Sequence, residues 1–208
     1  GYSYAEPEKR MFSAAFRYWN DDYPKRNYNG YMYNVADPTD RVRMKDYSSE
    51  KGERPSLDLY YQENLKNDQT LVFNVVGTYN RNEFHRMYSE SKGDNVLTDI
   101  NNKVKGDKYS IIGEGIYEKK LGKYSLSAGI RHTQTKSDNE YVNGTNYNTE
   151  MQQAVTYAYA ELKGKLKKLD YTAGVGLTRS WFREGSQDFD DSTLNPRLVL
   201  HYKLNDTS

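Results

Sequence analysis

Along most of this chain, apolar and polar residues alternate with a period of two. The clearest run is Tyr124–Thr135, where Tyr124, Leu126, Ala128, Ile130 and His132 oppose Ser125, Ser127, Gly129, Arg131 and Thr133. Successive side chains of a β-strand point to opposite sides, so this pattern predicts a strand with one apolar face. Ala154–Leu166 and Leu169–Phe182 repeat it. In the second, Tyr171, Ala173, Val175 and Leu177 oppose Thr172, Gly174, Gly176 and Thr178, and only Lys167 and Lys168 separate the two runs. That spacing predicts an antiparallel hairpin. Its strands are about 13 residues long, against roughly 5–6 in globular proteins and about 9–11 for a tilted strand crossing a bilayer.

The same reading gives further strands at Met11–Trp19, Tyr28–Ala36, Arg41–Ser49, Ser56–Leu65, Thr70–Asn80, Asp107–Leu121 and Leu194–Leu204. Asp37–Asp40, Lys66–Gln69 and Leu121–Lys123 read as short turns, and Asn205–Ser208 as the beginning of another. Polar stretches without period, Asn20–Asn27, Ser49–Pro55, Arg81–Gly106, Lys136–Gln153 and Arg183–Ser192, read as loops, the longest being Arg81–Gly106 with a short helical or strand piece around Val96–Ile100. The expected fold is therefore all-β: an antiparallel up-and-down meander of about ten long strands, forming part or all of a β-barrel.

From Ser56 onward the connections alternate between short and long. Short turns on one rim and long loops on the other are the pattern of outer-membrane barrels, and a soluble sandwich has no reason to keep that parity. It orients the hairpin, with Lys167–Lys168 on the periplasmic rim and Arg183 onward facing outside. A structureless loop of about 20 residues is improbable inside a compact soluble domain.

Composition sharpens this picture. The 208 residues carry 30 Lys plus Arg against 29 Asp plus Glu, so no net field points to nucleic acid. Mean hydropathy is −1.04, a value that suits disorder or a membrane barrel, in which only alternate residues meet lipid; the 21 Tyr in periodic runs favour the barrel. No apolar run reaches the ~18 residues of a membrane helix. The start, Gly-Tyr-Ser-Tyr-Ala-Glu-Pro, shows no signal peptide and suits a mature internal segment. Residues 1–208 are thus expected to be a single β-barrel segment with neither signal peptide nor plug domain. With no Cys, a disulfide scaffold and a thiolate zinc site are excluded.

Catalytic chemistry finds little support. His85, His132 and His201 lie in different elements without ligand spacing. Gly113-Glu-Gly115 and Gly174-Val-Gly176 lack the third glycine and following helix of a dinucleotide loop and read as strand glycines. No nucleophile elbow occurs, and Asp21 with Asp22 has no geometry that singles out an acid and a base. The Asp188–Asp191 cluster suits a solvated loop better than a calcium site. We therefore expect no enzyme, metal or cofactor. Aromatic residues crowd the first hairpin and the last long loop. Trp19, Tyr23, Tyr28, Trp181 and Phe189 are the candidate ligand-binding residues, with an interfacial girdle as the simpler alternative.

Tyr157-Ala-Tyr-Ala-Glu-Leu-Lys-Gly-Lys-Leu166, Tyr171-Thr-Ala-Gly-Val-Gly-Leu177 and Leu194-Asn-Pro-Arg-Leu-Val-Leu-His-Tyr-Lys-Leu-Asn205 resemble barrel strands of TonB-dependent outer-membrane receptors. They look closest to the Bacteroidetes-type outer membrane β-barrel family. Ser56–Leu65 and Thr70–Gly77 are similar to consecutive strands of that barrel, so the resemblance spans most of 55–205 and is looser over 1–54. It implies a fragment of a barrel of about 22 strands at the cell outer membrane, taking up a nutrient ligand. It also implies partners: outer-membrane lipid, the rest of the barrel and its plug, and a periplasmic energy-coupling protein engaged through segments absent here. No nucleic acid is expected, and open edge strands invite self-association. The alternative from the residues alone is a soluble surface-associated β-protein binding glycans through aromatic loops.

Overall fold

The computed structural model describes residues 1–143 and 145–203. They form one antiparallel sheet in which each strand pairs with its neighbours in sequence: β1 (Tyr2–Glu6), β2 (Arg10–Asn34), β3 (Asp37–Leu65), β4 (Gln69–Lys92), β5 (Asn95–Leu121), β6 (Tyr124–Asn143), β7 (Thr145–Leu166), β8 (Leu169–Glu184) and β9 (Gln187–Tyr202). The all-β up-and-down meander is as the alternation predicts, with nine strands among the described residues. Leu204 and the expected turn at 205–208 lie outside them.

The long connections differ from expectation. Arg81–Gly106 is no loop: β4 and β5 pair from Gln69↔Lys119 up to Lys92↔Asn95, with one register shift between Glu90 and Ser91. Lys136–Gln153 continues the β6–β7 ladder to Asn143↔Thr145, and Arg183–Ser192 continues β8–β9 to Glu184↔Gln187. Likewise Asn20–Asn27 lies inside β2 and Ser49–Pro55 inside β3, so four expected strands merge into two, and the short β1 joins the edge. Asp37–Asp40 begins β3, and the reversal falls at Val35–Ala36. Both faces of these extensions are mostly polar, and their few apolar residues, such as Phe84 and Met87, fall on either face, which erases the period of two. Their backbone N–H and C=O groups still need partners, and the neighbouring strand supplies them at no cost in apolar burial.

Tight turns close the hairpins. Gly93, Gly122 and Gly185 adopt φ of 60°, 62° and 56°, where glycine bears no Cβ penalty, and Asn67 and Asp68 take φ of 63° and 55° at the β3–β4 turn. Lys167 reaches φ 55° without either advantage. Within β2, Pro24 and Lys25 are inserted opposite Ser49 alone, between the pairs Tyr23↔Glu50 and Arg26↔Ser48. This bulge flips the parity of β2, putting Tyr23 and Tyr28 on the same face.

No hydrophobic residue among those described is buried, and large apolar side chains such as Phe16, Leu177, Leu194 and Leu198 are more than half exposed. A sheet with an apolar face needs a covering layer. Within this single sheet there is none.

Candidate functional site

Registers assign every strand residue to one of two faces. On the first, β8 carries Tyr171, Ala173, Val175 and Leu177. Beside them run Leu194 and Leu198 on β9, Ala158 and Leu162 on β7, Leu126 and Ile130 on β6, Phe73 and Val75 on β4, Leu57 and Leu59 on β3, and Phe12 and Phe16 on β2. Aromatics bound this apolar band. Tyr171, Tyr124, Tyr117 and Tyr61 edge the side nearer the short turns, and Trp181, Tyr109, Tyr79 and Tyr18 the other.

On β8 the unbroken apolar run is Tyr171–Leu177, about 20 Å along the strand; beyond it on the same face Arg179 pairs with Asp190 at 2.6 Å before Trp181 is reached. From β9 to β2 the band climbs about three residue pairs, roughly 20 Å, while crossing about 34 Å of strands, so the strands lean ~30° from the band's normal. Such inclination is what closure into a barrel demands.

The second face is polar. Over the height of the band it carries Arg17, Asp58, Asn74, Glu114, Arg131, Glu161, Lys163, Thr178 and Arg197. Arg17 pairs with Asp58. Arg197 reaches across β8 to Glu161 at 2.8 Å; both stand opposite Gly174, where a Cβ would come within 2.7 Å of Glu161 Cγ. Glu161 is only 12% exposed, so this pair works in a less screened setting than the others. Next to it, Tyr159 lies over Gly129 and Tyr157 over Gly176, with ring atoms 2.6 and 2.5 Å from where a Cβ would stand. The two rings are 5.6 Å apart and 20° from parallel. Glycine here makes room for aromatic rings laid flat on the sheet.

Above the band, both faces of the β2–β5 extensions hold charge pairs: Arg86–Asp46 bidentate at 2.8 and 3.0 Å, Lys103–Glu83 at 2.9 Å and Lys92–Asp40 at 2.6 Å. The Arg86 guanidinium holds the Asp46 carboxyl below the usual carboxylate range, and Lys103 does the same to Glu83. Thr39, through its hydroxyl and its N–H, lowers Asp37 at the hairpin tip.

The candidate ligand residues do not converge. Trp19, Tyr23 and Tyr28 line the polar face of β2, exposed by 66%, 52% and 60%. Phe189 shares that face but stands on β9, at the far side of the sheet. Trp181 is on the apolar face, with the Arg183 guanidinium 5.3 Å over its ring. What sequence reasoning missed is the company of Trp19: Arg54 opposite it, and the Asp46–Arg86 pair beside Tyr28. Arg54 and Arg86 sat in presumed loops, where face could not be assigned, and the bulge before Arg26 hid that Tyr28 faces Asp46.

Asp188 and Asp190 pair with Arg183 at 3.1 Å and Arg179 at 2.6 Å. His85 meets Asn101 Oδ1 at 2.9 Å and His132 meets Thr156 Oγ1 at 2.8 Å. Gly113, Gly115, Gly174 and Gly176 are strand glycines.

No family model and no curated protein matches the chain. Solved structures do. The ferric preacinetobactin receptor BauA from Acinetobacter baumannii aligns with a TM-score of 0.56 and 7% identity, covering 96% of this chain and 39% of that one. The ferric citrate transporter FecA in its unliganded form gives 0.55 and 14%, covering 98% and 33%. The FpvAI–pyocin S2 complex gives 0.58 and 11%, covering 95% and 34%. The chain therefore spans between a third and two fifths of these chains. At such identities the likeness is one of fold: a long-stranded antiparallel meander like a section of these receptors and transporters.

Proposed function

We propose that residues 1–208 are a single segment of the wall of an outer-membrane β-barrel, part of a TonB-dependent receptor that takes up a nutrient ligand. The observation that carries this reading is the two-faced sheet. An apolar band about 20 Å long along the strands and bounded by aromatics backs onto a face of charges, threonines and glycines. The apolar face meets lipid, and the polar face lines the lumen. The tall β2–β5 extensions stand on the extracellular side, where Trp19, Tyr23 and Tyr28 are available to a ligand from the lumen-facing wall, with Phe189 as a contact on the far side; Trp181 serves in the interfacial girdle.

Among the described residues the outer edges of β1 and β9 have no partner strand, and an unpaired edge recruits another strand. In the full-length receptor the remaining strands cover them and a plug fills the lumen; in isolation a second copy does. Energy for transport comes from a periplasmic coupling protein engaged by segments beyond these residues. The narrower assignment to the Bacteroidetes-type outer membrane β-barrel family rests on the sequence resemblance alone. A soluble glycan-binding β-protein is disfavoured because it would leave the apolar band in water.

Flotation with liposomes after alkaline wash tests the reading. The chain is expected to stay with the lipid; a monodisperse monomer in detergent-free buffer with the band exposed contradicts it.

A further inference from the structure

Above the apolar band, the two faces of β4 to β7 differ in charge. On β6 the polar face carries Thr133, Thr135, Ser137, Asn139 and Tyr141, and the opposite face Gln134, Lys136, Asp138 and Glu140. β7 sets Tyr147, Thr149, Met151, Gln153 and Val155 against Asn148, Glu150 and Gln152. Along β4 from 76 to 84 and β5 from 104 to 112, Lys108 is the one charge on the polar face, while Arg81, Glu83, Lys105 and Asp107 stand on the other. The alternation is one of charge rather than hydropathy. Solvation alone does not require it, because water accepts charge on both faces.

The neutral wall is also shaped. In one row across the sheet Gly52, Asn82, Gly106 and Asn139 alternate. A Cβ on Gly106 would come within 2.9 Å of Asn139 Oδ1, and one on Gly52 within 3.1 Å of Asn82 Oδ1, so both amides lie across glycines. One row higher stand Phe84, Tyr141 and Tyr147. The two tyrosine rings are 6.2 Å apart, and their residues are 37% and 62% exposed. The Thr135 hydroxyl donates to Ser110 Oγ at 3.4 Å, and Asn139 Nδ2 reaches Ser137 Oγ at 3.4 Å and Thr149 Oγ1 at 3.5 Å. These are longer than well-formed hydrogen bonds, which leaves the hydroxyls and the amide able to turn to a ligand.

We propose that this wall of β4 to β7 binds a neutral oligosaccharide, the nutrient taken up by the receptor; its part in uptake rests on the membrane-wall reading above. A charged ligand would give up hydration here with only Lys108 to meet it. A wholly apolar ligand would leave Ser137, Asn139 and Thr149 unpaired. A sugar presents hydroxyls at its edges and C–H groups on its ring faces. It therefore pairs with the amide row while lying on the tyrosine and phenylalanine rings.

The test applies the labelled chain, in detergent micelles, to an array of neutral oligosaccharides printed beside their sialylated and sulfated counterparts. Neutral members are expected to bind roughly tenfold or more tighter than the charged ones. Y141A/Y147A should lose about tenfold in affinity for the best neutral member. S137D, which keeps both rings and puts a charge on the wall, should lose as much. K136Q/E150Q, on the opposite face of the same strands, should bind as the native chain does. Absence of binding to every member, equal binding of charged members, binding that survives both wall variants, or loss in K136Q/E150Q overturns the proposal. Liposome flotation reports on the wall separately. A chain that binds neutral sugars yet does not float upholds the site and overturns the membrane wall; a chain that floats yet binds none does the reverse.

Discussion

The lower and upper halves of the same strands obey different rules. Between the tyrosine and tryptophan edges, β8 alternates Tyr171, Ala173, Val175 and Leu177 with Thr172, Gly174, Gly176 and Thr178. Above the band, β3 runs Arg43, Met44, Lys45, Asp46, Tyr47, Ser48 with polar groups on both faces, yet its pairing with β4 is just as continuous. Hydrogen-bonded ladders hold both halves. Only the lower one is specified by what lies against its faces, so a given change in side chain should weigh differently in each.

The largest contrast is a charge on the apolar face. Leu177→Arg, near the middle of the band, is expected to destabilise the inserted chain by about 2–4 kcal/mol. Met87→Arg, on the same face of the sheet but high in the extension, is expected to stay within about 0.5 kcal/mol. Urea unfolding in lipid vesicles measures both, and equal effects would break the distinction. Next comes crowding on the polar face. Gly176→Ala must displace the Tyr157 ring, 2.5 Å from the new Cβ, and should cost about 1–3 kcal/mol. Gly77→Ala, on the apolar face with nothing within 4 Å, should cost nothing and gain up to about 1 kcal/mol by restricting the unfolded chain.

How much of this was legible in the sequence follows the same division. The hairpin around Lys167–Lys168 and the strand Tyr124–Thr135 declared themselves because one face must be apolar. Arg81–Gly106 and Lys136–Gln153 did not, because water accepts either face and no periodicity is selected there. The Pro24–Lys25 bulge hid the shared face of Trp19, Tyr23 and Tyr28, since a single inserted residue inverts every odd-even count beyond it.

Acid should separate the halves as well. Asp46 is held below its ordinary pKa by Arg86, so it contributes stability above the unfolded carboxylate range, near pH 4. That contribution is lost as pH falls through its lower folded value. Amide hydrogen exchange at pH 3 and pH 7, corrected for intrinsic rates, should show protection falling around 43–49 and 84–90. The band strands 171–178 should be unchanged, and uniform loss would contradict the contrast. The smallest effect is at the lower turn: Lys167→Gly relieves a left-handed lysine and should stabilise the β7–β8 hairpin by up to about 1 kcal/mol, read as a rise in the urea midpoint.

The chain has no cysteine, so single cysteines can be introduced one at a time along 171–178 and spin-labelled in vesicles. Collisions with oxygen, which concentrates in lipid, and with a polar nickel chelate then report the surroundings of each side chain. The account predicts a strict period of two, with oxygen dominant at 171, 173, 175 and 177 and nickel dominant at 172, 174, 176 and 178. Uniform nickel access along the strand, or the opposite phase, would contradict a membrane wall with this face toward lipid.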